Sequence, residues 1–449
     1  MKRLELNITA LAPLAIGRQK PGGSISEVEH YIPGAVIRGA VAAKILHQAK
    51  QQTNLSDDLS QQGGDFQSLF LDDRAAIFQN AYPVVAKTGE EESRYVEEPI
   101  YVMPATAITA KHDGGFKPAD PDKQKASHGV FDTLIDRLCA DACGHLYDPS
   151  SLDCSRVEPM SGFYSEANGY YRSHRVNTRF LTRVGINRRR ATAQDEQLYS
   201  IEVLNESFLP NAKSRFNRWE YMGYRGYLWV PTEKDPELCD RIAKFLNSFG
   251  DHFRLGGSAS RGLGKVKIEV KPAPDPPELK HRIDHFNQAL QRRWQQWTNL
   301  FLTEEQTKDH EISQRTFFTL DLQSDAILRD RWQPTTVITP EVLLAYLRRS
   351  PSQISGFTAP PSDIKLHAAY SSYDYRTGWN AAWGLKKDME LVTNKGSVYL
   401  LSIPSKQLAD WLPILEILEQ VGIGERTPEG FGQVHICNQF HTIFREEAV

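Results

Sequence analysis

The sequence predicts an α+β protein built from two ferredoxin-like units. Three observations predict it. Each half opens on an apolar strand pattern: Leu4, Leu6 and Ile8 alternate near the start, and RTFFTLDL begins a second such run at Arg315. Each half closes with a helix, a glycine-rich loop and a strand, an internal repeat of organisation rather than of residues. Between the halves lies PAPDPP, residues 272–277, the clearest linker in the chain. The expected division is a first unit over 1–271 with an insertion at about 110–180, a linker and surface helix over 272–313, and a second unit over 314–449.

The elements follow in order. The first strand runs towards Pro13 and Gly17. A glycine-rich loop and the Pro33-Gly34 turn then lead into a helix over Val36–Ala49. Residues 52–66 and 110–128 are polar or rich in Gly, Pro and charge, and read as loops. Phe131–Cys143 reads as helix, and 198–208 (LYSIEVLNESF) alternates as a strand. A helix over Pro236–Ser248 puts Leu238, Ile242, Phe245 and Leu246 on one face. LGGSASRGLGKVKIEV then gives loop and strand. In the second half, Glu278–Leu300 is polar with scattered apolar residues, which predicts a surface helix. Pro340–Arg349 and Gln407–Gln420 read as helices, Ser397–Ile403 as a strand, and GIGERTPEGFGQVHI as the closing loop and strand.

Composition narrows the function classes. A chain of 449 residues suggests two to four domains, and 40% hydrophobic residues exclude the disordered class. No run approaches the roughly 20 apolar residues of a membrane helix. Glu5 and Asn7 break the basic-then-apolar start, so it does not read as a signal peptide. Five cysteines argue against a secreted disulfide scaffold and for the reducing cytosol, so a cytoplasmic protein is expected. The formal net charge of −3 means that any nucleic-acid surface must be local.

One local surface is evident. Arg172, Arg175, Arg179, Arg183, Arg188, Arg189 and Arg190 fall in a stretch, Tyr170–Arg190, that holds no acid. Arginine suits phosphate geometry, and the interleaved Tyr164, Tyr170, Tyr171 and Phe180 suit base stacking. The plainer reading is a solvated basic face beside core tyrosines. A second aromatic and basic cluster holds Tyr370, Tyr373, Tyr375, Arg376, Trp379 and Trp383. The glycine loops carry Gly257, Arg261, Gly262 and Gly264 in the first half and Gly422, Gly424, Arg426, Gly430 and Gly432 in the second. Backbone N–H groups there could meet phosphate oxygens, or the loops could be tight turns; the Gly-Lys-Ser/Thr ending of a P-loop is absent. Lys20 and Arg38 flank the first loop and helix, and Arg38 would sit near a helix start that favours anions. Cys139, Cys143, His145 and Cys154 could supply four zinc ligands, or be buried small hydrophobes with no metal.

Several of these segments resemble the RAMP superfamily of CRISPR-associated proteins. The pattern Gly-x-Gly-x5-Gly-x-Gly at 422–432 looks like its glycine-rich loop, and LGGSASRGLGKV (255–266) looks like the same loop closing a first unit. AIGRQKPGGSISEVEHYIPGAVIRGAVAAKIL (15–46) and RVGINRRRATAQDEQLYSIEVL (183–204) are similar to other family segments. GWNAAWGLKK (378–387) and NKGSVYLL (394–401) resemble the group that caps the 5′ handle of the guide RNA. The resemblance implies two RRM-like domains and the large two-domain subunit of a subtype D, type III effector complex. It further implies RNA binding through the basic, glycine-loop and aromatic residues named above, Tyr375 and Arg376 included. Partners would be guide crRNA, other RAMP subunits, the large subunit and, indirectly, target RNA, with no membrane.

The resemblance leaves two other readings open. One is a RAMP endoribonuclease acting on precursor or target RNA, for which His30 and His47 are candidate general bases and Glu27 and Glu29 candidate Mg²⁺ ligands. The family's target-cutting subunits use an Asp in this loop, and Gly22–Tyr31 has none, so catalytic residues are not expected. The other is a scaffold making protein contacts only.

Overall fold

The computed structural model describes residues 1–18, 27–52, 64–87, 92–118, 128–187, 189–190, 192–211, 218–302, 311–349, 363–380 and 384–449. Strand β1 (Lys2–Ala10) is followed by helix α1 (Gly34–Gln52) and the short strand β2 (Ile77–Phe78). A long excursion carries helix α2 (Leu134–Ala142) and the antiparallel ribbon β3 (Thr178–Asn187) and β4 (Thr192–Leu204). The first unit then resumes with β5 (Gly223–Val230), α3 (Leu238–Ser248), β6 (Phe253–Arg254) and β7 (Lys265–Pro272).

The sheet order is β6-β7-β1-β5-β2, antiparallel throughout. Taken as β1, β2, β5 and β7, the four main strands are arranged 4-1-3-2, which is the ferredoxin-like order expected. The period-two pattern explains which face is which. Leu4, Leu6, Ile8 and Ala10 point to the side where Ile37 and Val41 of α1 and Leu238, Ile242 and Leu246 of α3 complete a buried core. On the other side Glu5 is buried against Arg225 and Lys271, at 3.3 and 3.2 Å. Arg225 also holds the carbonyls of Val96, Glu97 and Glu98, so the excursion lies across this face.

The second unit repeats the plan. Helix α4 (Leu279–Phe301) precedes β8 (Arg315–Leu322), α5 (Pro340–Arg349) and β9 (Lys365–Tyr370). A second ribbon, β10 (Tyr373–Asn380) with β11 (Leu385–Thr393), leads to β12 (Val398–Pro404), α6 (Leu408–Val421) and β13 (Val434–Ile436). The sheet order β9-β12-β8-β13 is again 4-1-3-2 read from the far edge. Each unit therefore inserts a ribbon between its second and third main strands and a glycine loop before its last.

Helix α4 is a surface helix with one dry face: Leu279, Ile283, Phe286, Leu290 and Trp294 form a stripe buried in the largest core, while Lys280, His281, Arg292 and Gln296 are exposed. The stripe is written at helical spacing inside a polar sequence, and only one face of the helix is dry. Asn287 of α4 pairs with both the N–H and the carbonyl of Phe317, at 2.8 Å each, and so satisfies a stretch of β8 that β13 does not reach. The excursion's Leu134, Ile135 and Cys139 join the same core. Phe131 and Tyr164 pack with Phe440 and Ile443 near the C-terminal end. No helix of the described residues is long and apolar enough to cross a membrane.

Candidate nucleic-acid interface

The two glycine loops are structural twins, offset by 168 positions (423 minus 255). In the first, Leu255 N–H donates to Gly264 O, Gly257 N–H to Ala15 O, and Gly264 N–H to Pro13 O. In the second, Ile423 donates to Gly432 O, Glu425 to Ile327 O, and Gly432 to Asp325 O. Gly256 and Gly424 have φ of +85° and +99°, and a Cβ on either would lie 2.5 Å from a carbonyl of the neighbouring segment, Ala15 O or Ile327 O. A left-handed residue follows in each, Ser258 or Arg426, and opens a single 3₁₀ turn, Ala259–Arg261 or Thr427–Glu429. These glycines let backbones approach closely. The amides of Gly257, Gly262, Gly264, Gly422, Gly430 and Gly432 are already donated within the protein, so they do not form the phosphate cradle that the sequence left open.

The twins differ in surroundings. The first turn is exposed from Ala259 to Gly262, and nothing lies within 4 Å of where a Gly262 Cβ would be. The second is docked on the first unit. Gly430 is buried against Phe78 O and Asn80 Oδ1, and the Glu429 carbonyl sits 2.9 Å from where a Gly34 Cβ would be. Gly34 N–H donates to Asn80 Oδ1 at 2.8 Å. The start of α1 is thus occupied by protein groups, which overturns the expected anion site there. Arg38 donates to Phe70 O at 2.7 Å; burial pushes its pKa down while Glu429 raises it. Arg426 pairs with Glu429 at 2.6 Å and lies over Phe431, and Lys387 reaches the same carboxylate at 3.0 Å.

The first turn adjoins the ribbon β3–β4. Leu181, Ile201 and Val203 on the ribbon's inner face pack with Ala15 and Leu263, and Arg261 lies 5.4 Å over the Tyr199 ring. The outer face is unusual for its exposed apolar side chains: Phe180, Val184, Ile186 and Leu198, the last 71% exposed. The hairpin Gly17–Arg18 with Glu27–Val28 lies between β4 and β10, tied by Val28 N–H to Glu202 at 2.9 Å. Across that hairpin, Tyr373 and Tyr375 stand exposed on β10, with Met389 and Leu385 on β11. The exposed turn thus lies against the ribbon face that carries Leu181 and Tyr199, and the hairpin links the ribbon β3–β4 to the ribbon β10–β11.

The predicted arginine stretch divides. Arg189 and Arg190 are exposed at the ribbon tip, Arg183 is half-buried on β3, and Arg175 is exposed before it. Arg179 is held by Asn205 and Glu206 at 3.0 Å each, and Arg172 lies 3.8 Å from Glu98 in the excursion. Acids distant in sequence thus neutralise part of a stretch that has none of its own. Arg188 and Lys20 lie outside the described residues, as do Trp383 and the side chain of Trp379. Tyr164 and Tyr171 belong to the core rather than to a stacking surface; Tyr164 donates to Asn438 Oδ1 at 2.6 Å, and burial raises its pKa. Tyr170 and Phe180 are exposed. Tyr370 is half-buried beneath Arg137. Arg376, expected to meet RNA, is buried between Asp325 and Glu29.

That last contact also decides the candidate Mg²⁺ ligands. Glu29 is buried in its pairing with Arg376, and a metal would have to displace the guanidinium. Glu27 and His30 are exposed beside it, and His47 is exposed on α1. The cysteine cluster is not assembled either. Cys139 is buried, and burial raises its thiol pKa; Cys154 is exposed in a left-handed turn; His145 rests on the Phe301 ring at 3.8 Å. Among the described residues no three His, Cys, Asp or Glu converge to hold a metal ion.

A family model described as the RAMP superfamily matches residues 7–267. No curated protein matches the chain. Among solved structures, a type III-B Cmr-beta complex bound to cognate target RNA and AMPPnP is similar over 92% of this chain and 94% of its own, at 11% identity and TM-score 0.35. A Cas6 product complex is similar over 52% and 82%, at 14% identity and TM-score 0.29. Oligomeric Cmr4 from Pyrococcus furiosus is similar over 60% and 98%, at 11% identity and TM-score 0.26.

Proposed function

The chain belongs to the RAMP superfamily, and on that premise we propose that it is a non-catalytic RNA-binding subunit of a type III CRISPR–Cas effector complex. It holds guide crRNA near the 5′ handle and docks against other RAMP subunits and the large subunit in the cytoplasm. The observation that carries this reading is the asymmetry of the twin loops. One turn is sealed onto the first unit; the other is exposed beside a ribbon bearing arginines and unshielded aromatics. Arg183, Arg189, Arg190 and Arg261 supply charge to phosphates, and Phe180, Tyr373 and Tyr375 offer faces for bases. Recognition is electrostatic and by stacking. The engagement of Glu29 by Arg376 speaks against metal-dependent cleavage at the hairpin.

Binding to labelled repeat RNA across a salt series tests the reading. For single strands the slope of log K against log salt is about −0.7 per phosphate contact. Replacing Arg183, Arg189 and Arg190 by Ala is expected to flatten it by about 2 and to weaken binding at least about tenfold at moderate salt. An unchanged slope in a folded variant removes the ribbon from the interface. Mg²⁺-dependent cuts lost in Glu27→Ala or His30→Ala would replace the binding reading with the nuclease.

A further inference from the structure

His441 lies fully buried between two buried aspartates that belong to different parts of the fold. Its Nε2 is 2.6 Å from Asp321 Oδ1 on β8, and its Nδ1 is 3.1 Å from Asp132 Oδ2 in the excursion. Each carboxylate is separately fixed. Asp132 accepts from Thr106 Oγ1 at 2.6 Å and from Leu134 N–H, at the start of α2, at 2.8 Å. Asp321 accepts from Thr319 Oγ1 at 2.6 Å. The Phe286 ring of α4 stands edge-on to the imidazole at 6.3 Å.

A neutral imidazole has one N–H and one lone pair. Between two carboxylates it could donate to only one, and its lone pair would face the other without water to screen the repulsion. Both contacts are satisfied when the ring carries both protons. The neighbouring ionisable groups do not change this balance. Tyr147 and Tyr370 near Asp132, and Tyr164 and Cys437 near Asp321, all have pKa values raised first by burial and stay neutral. The one negative charge left over is helped by the N-terminal end of α2, whose Leu134 N–H points at Asp132.

We propose that His441 is an imidazolium latch, charged at neutral pH, clamping the lobe inserted in the first unit onto the central strand of the second. The lobe's strand Val130–Asp132 supplies one jaw and β8 the other, so the C-terminal segment that carries His441 holds them together. Burial alone would lower the histidine pKa, but Asp321 and Asp132 raise it to about 10. A pKa raised above its unfolded value of 6.5 stabilises fully below that value. The contribution declines as pH rises above that value and is gone once pH passes about 10.

Two measurements on the full chain test this. With ¹⁵N-labelled histidine at pH 8, His441 is expected to show two protonated, slowly exchanging ring nitrogens. One protonated and one bare nitrogen would overturn the charge assignment in the unaltered protein, whatever the variants do. Asp132→Asn is then expected to raise amide exchange in the lobe strands Ala107–Ala110 and Val130–Asp132 by up to about tenfold, because the charge-assisted hydrogen bond that His441 Nδ1–H donates becomes a weaker neutral one. Exchange in Lys2–Ala10 should stay unchanged. A uniform rise, or none, would mean that the triad does not act as a latch.

Discussion

Gly34→Ala is expected to lower stability sharply and to lift the second glycine loop from the first unit. A Cβ at this position would overlap the carbonyl oxygen of Phe78 and lie 2.9 Å from that of Glu429. Both obstacles are backbone, so no side-chain rotation relieves them. The cost should reach the upper end of the roughly 1–3 kcal/mol typical of overpacking. A fall in the urea midpoint with a faster exchange of the Gly430 amide would report it. Gly39→Ala, on the same helix with open space around its Cβ, should leave the midpoint unchanged or raise it. Equal effects at the two glycines would show that α1 is not seated as closely against the Phe78 and Glu429 carbonyls as this geometry requires.

Arg282→Met is expected to cost more, about 3–5 kcal/mol, because it strands a buried carboxylate. Arg282 has a side chain only 2% exposed and donates to both oxygens of Glu419, at 2.8 and 2.6 Å, and to Ile436 O at 2.6 Å. The pair ties α4 to α6 and β13. Burial opposes ionisation of Glu419, but hydrogen bonds from His435 and Arg282 outweigh it and hold its pKa at about 2. A depressed carboxylate stabilises the fold above its unfolded value of 4.5 and ceases to do so as pH falls towards 2. The wild type should therefore lose stability over that window in urea titrations, and Arg282→Met should lose less across it. Adding Glu419→Leu to Arg282→Met should recover much of the deficit, since a hydrophobic pair of similar volume often replaces a buried ion pair at little cost. No recovery would mean that packing of the long arginine stem, rather than the stranded charge, sets the loss.

The local periodicities were readable from the sequence, and the long-range pairings were not. Leu4, Leu6 and Ile8 announce a strand, Leu238, Ile242 and Leu246 a helix face, and the glycine spacing two alike loops. These features depend on neighbours within a few residues. In helix α4 the average polarity of the segment masks the depth of the dry stripe at 279, 283, 286, 290 and 294. The arginine stretch looked unopposed because Glu98 and Glu206 lie outside it. Arg376 looked available because its partners Glu29 and Asp325 are contributed by other elements. The cysteines are close along the chain, yet Cys154 projects from an exposed turn while Cys139 faces the core. Sequence proximity alone does not make side chains converge.

The matched loops give the molecule an internal yardstick. Gly262 and Gly430 hold the same backbone shape, at φ +87° and +92°, with one bathed in solvent and the other pressed against its neighbour. A methyl group added to either incurs the same left-handed penalty, about 1–2 kcal/mol. Subtracting one measured loss from the other cancels that penalty and isolates the work of seating one half of the polypeptide on the other.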